Sequence, residues 1–272
     1  MKTKLFARYR YSLILLRELV ITDFKLRYQD SLLGYLWALL RPLFLFAIIY
    51  VVFVYILKIG KGVEHWAVAL LLGMMLWSFF TEITKQGLKA IVKNGGIIRK
   101  INFPKYIIVI ATSLSALINL SINLIVIVIF AISNHVPFTW NMLWVFPIIV
   151  EIYFFALGLA FLLGTLNVKY RDVDYIWDIV TQGLFYGSAI MFPITEVVKH
   201  SKKMAELLLL NPICQAISDA RHLAVNPREL PMMGNLTDNI LLIVAPFVIT
   251  LLIFVFGALY FRARSPYFAE DI

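Results

Sequence analysis

The sequence predicts an all-α integral membrane protein with six transmembrane helices, an N-terminal amphipathic interfacial helix and short re-entrant helices before the last span. Three observations carry that prediction. Of 272 residues, 61% are hydrophobic and only 15% charged, with a mean hydropathy of +0.85. A soluble domain of this length is nearer half apolar and a quarter charged. Apolar runs long enough to cross a bilayer recur along the chain, about 20 residues being required. Finally, the basic residues behind the net charge of +9 sit in the gaps between those runs. Positive-inside topology accounts for that placement, and nucleic-acid binding does not. Cys214 is the lone cysteine, which excludes an intrachain disulfide and a thiolate metal site. Arg17 and Glu18 interrupt the first apolar stretch, so no secretory leader is expected there.

Residues 1–30 carry Lys2, Lys4, Arg8, Arg10, Arg17, Lys25 and Arg27, with Leu13, Leu16, Val20 and Phe24 at helical spacing. That pattern predicts a helix lying in the cytoplasmic interface. The first span is expected over 33–57, with Arg41 snorkelling from its inner end and Pro42 following it. A second span over 65–84 carries Glu82 near its inner end. Residues 85–105 then form a loop containing Lys85, Lys89, Lys93, Arg99, Lys100 and Lys105 and no acidic residue. Gly95-Gly96 is expected to break the backbone there, and Phe103-Pro104 to set the start of the next span. Spans over 106–133 and 142–168 follow, the latter containing Glu151, then a short fifth over 175–192 that stops at Pro193.

Residues 194–235 are too polar to span and too apolar for a free loop. Asn211-Pro212 breaks them, and Asp219, Arg221 and His222 interrupt them. Two short helices dipping into the outer leaflet reconcile these facts, since irregular backbone at membrane depth is tolerated only against protein or water; a helical hairpin resting on the membrane surface is the alternative. The last span covers 236–261 and ends in Arg262 and Arg264. Six spans place both termini in the cytoplasm, and the whole chain, 1–272, reads as one transmembrane domain.

Little in the chain points to bond-making chemistry. No phosphate-binding glycine loop of the G-x-x-x-x-G-K-[ST] type occurs, and the four histidines form no metal motif. Asp172 and Asp174 have the spacing with which some glycosyltransferases hold a divalent cation, but carboxylates opening a helix also favour its dipole and cap it. Arg41, Glu82 and Glu151 are ionisable residues inside spans, each by default a functional position. Of these, Glu151 is expected to face an interior cavity or a neighbouring subunit. Tyr50, Phe79, Phe154 and Tyr186 are candidate pore-lining aromatics, with core or lipid packing as the alternative for each.

Several short motifs in order carry a family resemblance: Asp23-Phe24-Lys25-Leu26-Arg27-Tyr28, then Ser31-Leu32-Leu33-Gly34-Tyr35-Leu36-Trp37 and Pro42. Leu166-Asn167-Val168, Tyr170-Arg171-Asp172-Val173, Met191-Phe192-Pro193-Ile194 and Asn211-Pro212 follow. Over nearly its whole length the chain resembles the membrane subunit of type-two ABC exporters of bacterial cell-surface polysaccharides, which serve O-antigen, capsule and teichoic acid. It departs at Arg41, where that family often has Asn.

The resemblance implies a homodimeric channel in the bacterial cytoplasmic membrane, with two copies of a separate P-loop ATPase beneath it. ATP and Mg would then sit on the partner and no cofactor in this chain. It implies a cytoplasmic coupling helix over 95–104, with Gly95, Gly96, Arg99, Lys100, Phe103 and Pro104 meeting the ATPase. Residues 1–30 would form a gate helix, and residues 194–225 would close the outer mouth. The implied substrate is a glycan on undecaprenyl diphosphate, with Arg8, Arg10, Lys25 and Arg27 as contacts for the diphosphate or for anionic lipid. A drug or small-molecule exporter of the same fold, a polytopic glycosyltransferase using Asp172 and Asp174, and a gated channel without an ATPase are the competing readings.

Overall fold

The computed structural model describes residues 13–23, 25, 34–60, 62–101 and 103–272, and every regular element among them is helical. Residues 13–23 form α1, whose Leu15 and Leu19 pack on the core while Leu13, Ile14, Arg17 and Glu18 are exposed. Gly34, at φ +49°, turns the chain in the left-handed region that glycine enters without strain. Helix α2, Trp37–Ile49, follows and continues as a π-helical stretch, Tyr50–Ile56. Pro42 lies inside α2, and only 6% of the span Leu39–Ile56 is buried.

The centre of the bundle is α3, Trp66–Lys93, whose spanning window is 78% buried. It packs against α5, Tyr106–Ser133, and α6, Val145–Lys169, and α6 in turn packs against α12, Ile240–Arg264. Small residues set these crossings, as expected where lipid removes the hydrophobic drive between helices and close van der Waals contact must replace it. A side chain on Gly87 would strike Ala160, and one on Gly164 would lie 2.9 Å from the Gly87 carbonyl. At the α6–α12 crossing, a Cβ on Gly158 would stand 2.5 Å from Phe254 Cα, and one on Gly257 would collide with the Gly158 carbonyl. Aromatic rings fill the wider gaps: Phe80 stacks on Phe155 at 5.7 Å and meets Trp177 edge-on at 6.4 Å.

Two boundaries differ from the sequence expectation. Helix α3 does not end near Thr84 but continues to Lys93, so Lys85, Lys89 and Lys93 are helical rather than in a loop. The break falls at Asn94, and a six-residue helix α4, Gly95–Lys100, starts immediately after it. The fifth apolar stretch is shorter than expected. Helix α7, Val173–Gly187, has 15 residues, roughly 22 Å at 1.5 Å per residue. Five described helices are long and apolar enough to cross a membrane, and α7 is not among them.

Between α7 and α12 the chain forms four short helices rather than two: α8 (Ile194–His200), α9 (Lys202–Leu209), α10 (Pro212–Ala224) and α11 (Met233–Leu236). Asn211 caps α10 by accepting from the Ile213 N–H at 3.1 Å, and Pro212 occupies the first turn, where no N–H is needed. Helix α10 is wedged against α3, α6 and α12, while Ala189, Ile194, Ala205, Leu209, Cys214 and Met233 make a second, smaller core. After α12 the chain turns through Ser265–Tyr267 into a last short helix α13, Phe268–Asp271.

Candidate functional site

The basic end of α3 and the helix α4 form one unit at the end of the bundle. Lys85 and Lys89, one helical turn apart, pair with Asp178 at 2.5 Å and Asp174 at 2.9 Å on the antiparallel α7. Lys93 reaches Asp23 in α1 at 3.6 Å. The lysines expected in a free loop are therefore used to register α3 against α7 and α1. Asp174 is engaged in packing, and Asp172 is exposed at the start of α7 without a side-chain capping bond.

Helix α4 presents two faces. Ile98 is buried against the bundle, and Phe103, just beyond the helix, is buried as well. Arg99 and Lys100 are exposed, make no ion pair among the described residues, and sit beside exposed Ile97 and Ile101. The opposite side of α4 is braced by the end of the chain. Phe268 is buried and meets Phe261 edge-on at 5.2 Å, and a Cβ on Gly95 would lie 2.6 Å from Ile272 Cγ2. Lys105 Nζ donates to the Ser265 carbonyl at 2.7 Å, tying the start of α5 to the same segment. Gly95 is thus required for close approach, whereas Gly96 is open on all sides. Of the six residues expected to meet an ATPase, Gly96, Arg99 and Lys100 are on the free face, Gly95 and Phe103 are buried, and Pro104 is half-buried.

The other expected positions scatter. Arg8, Arg10 and Arg27 lie outside the described residues, and Lys25 is exposed. Phe79 is a packed core residue, 2% exposed, which removes it from any passage. Phe154 turns toward α12, edge-on to Phe254 at 5.0 Å, while Tyr50 stands exposed at the start of the π-helical stretch after α2 and Tyr186 on α7. Glu82 Oε1 accepts from Asn119 Nδ2 at 2.6 Å and Gln86 Nε2 at 3.1 Å, and exposed Arg41 makes no ion pair among the described residues. Glu151 lines a groove between α6 and α12.

Sequence reading missed the role of Arg221, treating it only as a polar interruption. Its guanidinium is buried and donates to three carbonyls, Ala69 at 2.9 Å, Ala189 at 2.7 Å and Ile190 at 2.5 Å. It also lies 4.9 Å from the Trp66 ring, and Gly73 leaves space that a Cβ would close. One side chain therefore joins α10, the first turns of α3 and the break after α7, where Ala189 takes φ +50°. The Asn211 amide donates to Ser188 at 3.1 Å beside it. Asp219, two residues earlier in α10, accepts from Gln215 and the Met233 N–H, yet burial still holds its carboxyl above the usual range.

Comparison with known proteins fits this architecture. An O-antigen export system permease protein (RfbA) of Klebsiella pneumoniae is 27% identical over 222 residues, covering 80% of this chain and 84% of the relative. A protein of the same name from Myxococcus xanthus is 23% identical over 262 residues, 95% of each chain. The polysialic acid transport protein KpsM of Escherichia coli is 24% identical over 238 residues, 84% of each. The profile of the ABC-2 type transporters matches residues 15–221, and this multi-pass membrane chain belongs to that family.

Proposed function

We propose that the chain is the permease subunit of an ATP-driven exporter that moves a lipid-linked polysaccharide, such as an O-antigen or capsule chain on undecaprenyl diphosphate, across the bacterial cytoplasmic membrane. Two copies form the passage, and two copies of a separate ATPase drive it from below. The relatives' names as O-antigen and polysialic acid transporters support the substrate class. The carrying observation is α4. It is a short helix at the end of the bundle, braced behind by Ile98, Phe268 and Ile272 and free in front at Ile97, Arg99, Lys100 and Ile101. A rigid, basic and partly apolar knob of this kind suits a cleft with an acidic rim and an apolar floor on a soluble partner. Because α4 joins α3 to α5 directly, a displacement there reaches the central helix of the bundle.

A second supporting feature is how exposed α2, the π-helical stretch after it and α7 are. Trp37, Phe44, Ile48, Tyr55, Tyr175, Ile179 and Tyr186 all stand at least two-fifths free, and a second copy would cover such faces. The reading assigns no bond-making step to this chain. Its test is co-purification in mild detergent from cells that also express the native neighbouring genes. A P-loop ATPase should come with the chain in equal stoichiometry. Arg99→Glu with Lys100→Glu should release it, because both side chains are exposed and the fold does not depend on them. Phe103→Ala is the wrong probe, since Phe103 is buried. Retention of the ATPase by the double variant would sink the docking assignment, and recovery of the chain alone would sink the exporter reading.

A further inference from the structure

Helices α6 and α12 touch most closely at Gly158 and Gly257 and separate on the far side from Lys169 and Arg264. The gap is a groove of about 370 Å³, walled by Pro147, Val150, Phe154, Phe247, Leu251 and Phe254. Val150, Phe247 and Leu251 are each roughly half exposed, so the groove opens on the outside of the bundle. Two polar side chains lie in this apolar wall, Glu151 and Thr250. Glu151 is 9% exposed and Thr250 7%, and among the described residues neither Glu151 Oε1 nor Thr250 Oγ1 has a hydrogen-bond partner. Threonines elsewhere in the bundle satisfy themselves on the preceding turn, as Thr112 in α5 and Thr165 in α6 do. Buried polar atoms without partners are expensive, and each points to a missing donor or acceptor.

Position narrows what that partner is. Glu151 is 18 residues along α6 from Lys169, roughly 27 Å of helix, against a hydrocarbon thickness of about 30 Å. It therefore lies close to the hydrocarbon boundary of the leaflet opposite Lys169, the outer one in the orientation that basic loops favour. Lipid head groups meet chains at that depth. We infer that the α6–α12 groove binds a phospholipid bearing a primary ammonium head group, with one chain along Phe154, Phe247 and Phe254 and the ammonium donating to Glu151 and Thr250. The apolar walls take the chain, and the Glu151 carboxyl oxygen and the orphaned hydroxyl supply two acceptors. This assignment is independent of what the exporter carries.

The test uses the full chain in detergent, exchanged into equal amounts of phosphatidylethanolamine and phosphatidylcholine with identical acyl chains, with retained lipid counted by native mass spectrometry. The two lipids differ in donor capacity at the head group. Phosphatidylethanolamine should be retained over phosphatidylcholine by at least about fivefold, the factor that a single net hydrogen bond of about 1 kcal/mol supplies. Glu151→Leu and Thr250→Val should each reduce that preference, and Leu251→Trp should displace both lipids. Equal retention of the two lipids by the unaltered protein would overturn the inference, and so would a preference that survives Thr250→Val and Glu151→Leu. Efficient disulfide formation between two copies carrying Leu251→Cys would also overturn it, by showing a second chain in the groove. If Glu151→Leu fails to fold, the unaltered protein and Thr250→Val still decide the matter.

Discussion

Replacing Gly158 with Ala tests the packing scheme at its tightest point. The new Cβ would lie 2.5 Å from Phe254 Cα and 2.7 Å from its nitrogen, where ordinary contact begins at 3.4 Å. Both obstacles are backbone, so no rotamer change relieves them, and α6 and α12 must part by about 0.9 Å. Overpacking of this kind costs about 1–3 kcal/mol, and Ala returns up to about 1 kcal/mol of helix propensity over Gly. The net expectation is a loss of about 1–2 kcal/mol, rising for Gly158→Val. Gly257 shares the crossing, since its Cβ would meet the Gly158 carbonyl. Once the helices have separated, the second substitution has less to displace, so Gly158→Ala with Gly257→Ala should cost less than the sum, by about 0.5 kcal/mol or more. Equilibrium unfolding in mixed micelles measures all three. Gly96→Ala is the control, because nothing lies within 4 Å of its Cβ and it should be neutral or slightly stabilising. Strict additivity, or a Gly158→Ala protein as stable as the parent, would refute this account of the crossing.

Three further outcomes follow from the same geometry. Arg221→Met strands the carbonyls of Ala189 and Ile190 and removes the second bond to the helical Ala69 carbonyl, and at about 1–3 kcal/mol per unmet buried group it should destabilise the protein by several kcal/mol even after relief of the buried charge; an unfolding midpoint unchanged by Arg221→Met would contradict the clamp. Lys89→Asp should lower stability by less than about 1 kcal/mol, as exposed pairs do, and Lys89→Asp with Asp174→Lys should restore it in a double-mutant cycle. Phe268→Ala should leave the spans folded but expose α4, read as faster proteolysis between residues 94 and 105, because Phe268 is buried in the segment that braces it.

Much of the bundle was legible in the sequence, for identifiable reasons. Long apolar runs and basic gaps located five long helices, and Asn211-Pro212 marked the start of α10, where Asn211 is a cap and Pro212 fits the first turn. Boundaries at charged residues were not legible. Lys85 and Lys89 read as solvent loop, but α7 supplied Asp178 and Asp174 as partners, so tertiary pairing extended the helix by more than two turns. The glycine pair at 95–96 read as a break, whereas Asn94 makes the break and Gly95 admits Ile272 from the other end of the chain. Residues far apart in sequence decide such contacts, and no local pattern encodes them. Arg221 is the clearest case: it is one arginine in a polar segment by sequence, and its three acceptors come from residues at separations of 31, 32 and 152. Glu151 stands out in the sequence as an ionisable residue in an apolar run, but the face it occupies follows from the α6–α12 crossing and its glycines.

The central claim, that this chain is the passage for an ATP-driven export of lipid-linked polysaccharide, is tested most directly in inverted membrane vesicles. Radiolabelled lipid-linked glycan is offered on the outer face, and the fraction protected from added glycosidase is followed with time. Protection should rise on adding ATP, only when this chain and its ATPase are both present, and should fall with Arg99→Glu and Lys100→Glu. Protection that proceeds equally without this chain, or that needs no ATP, would contradict the account.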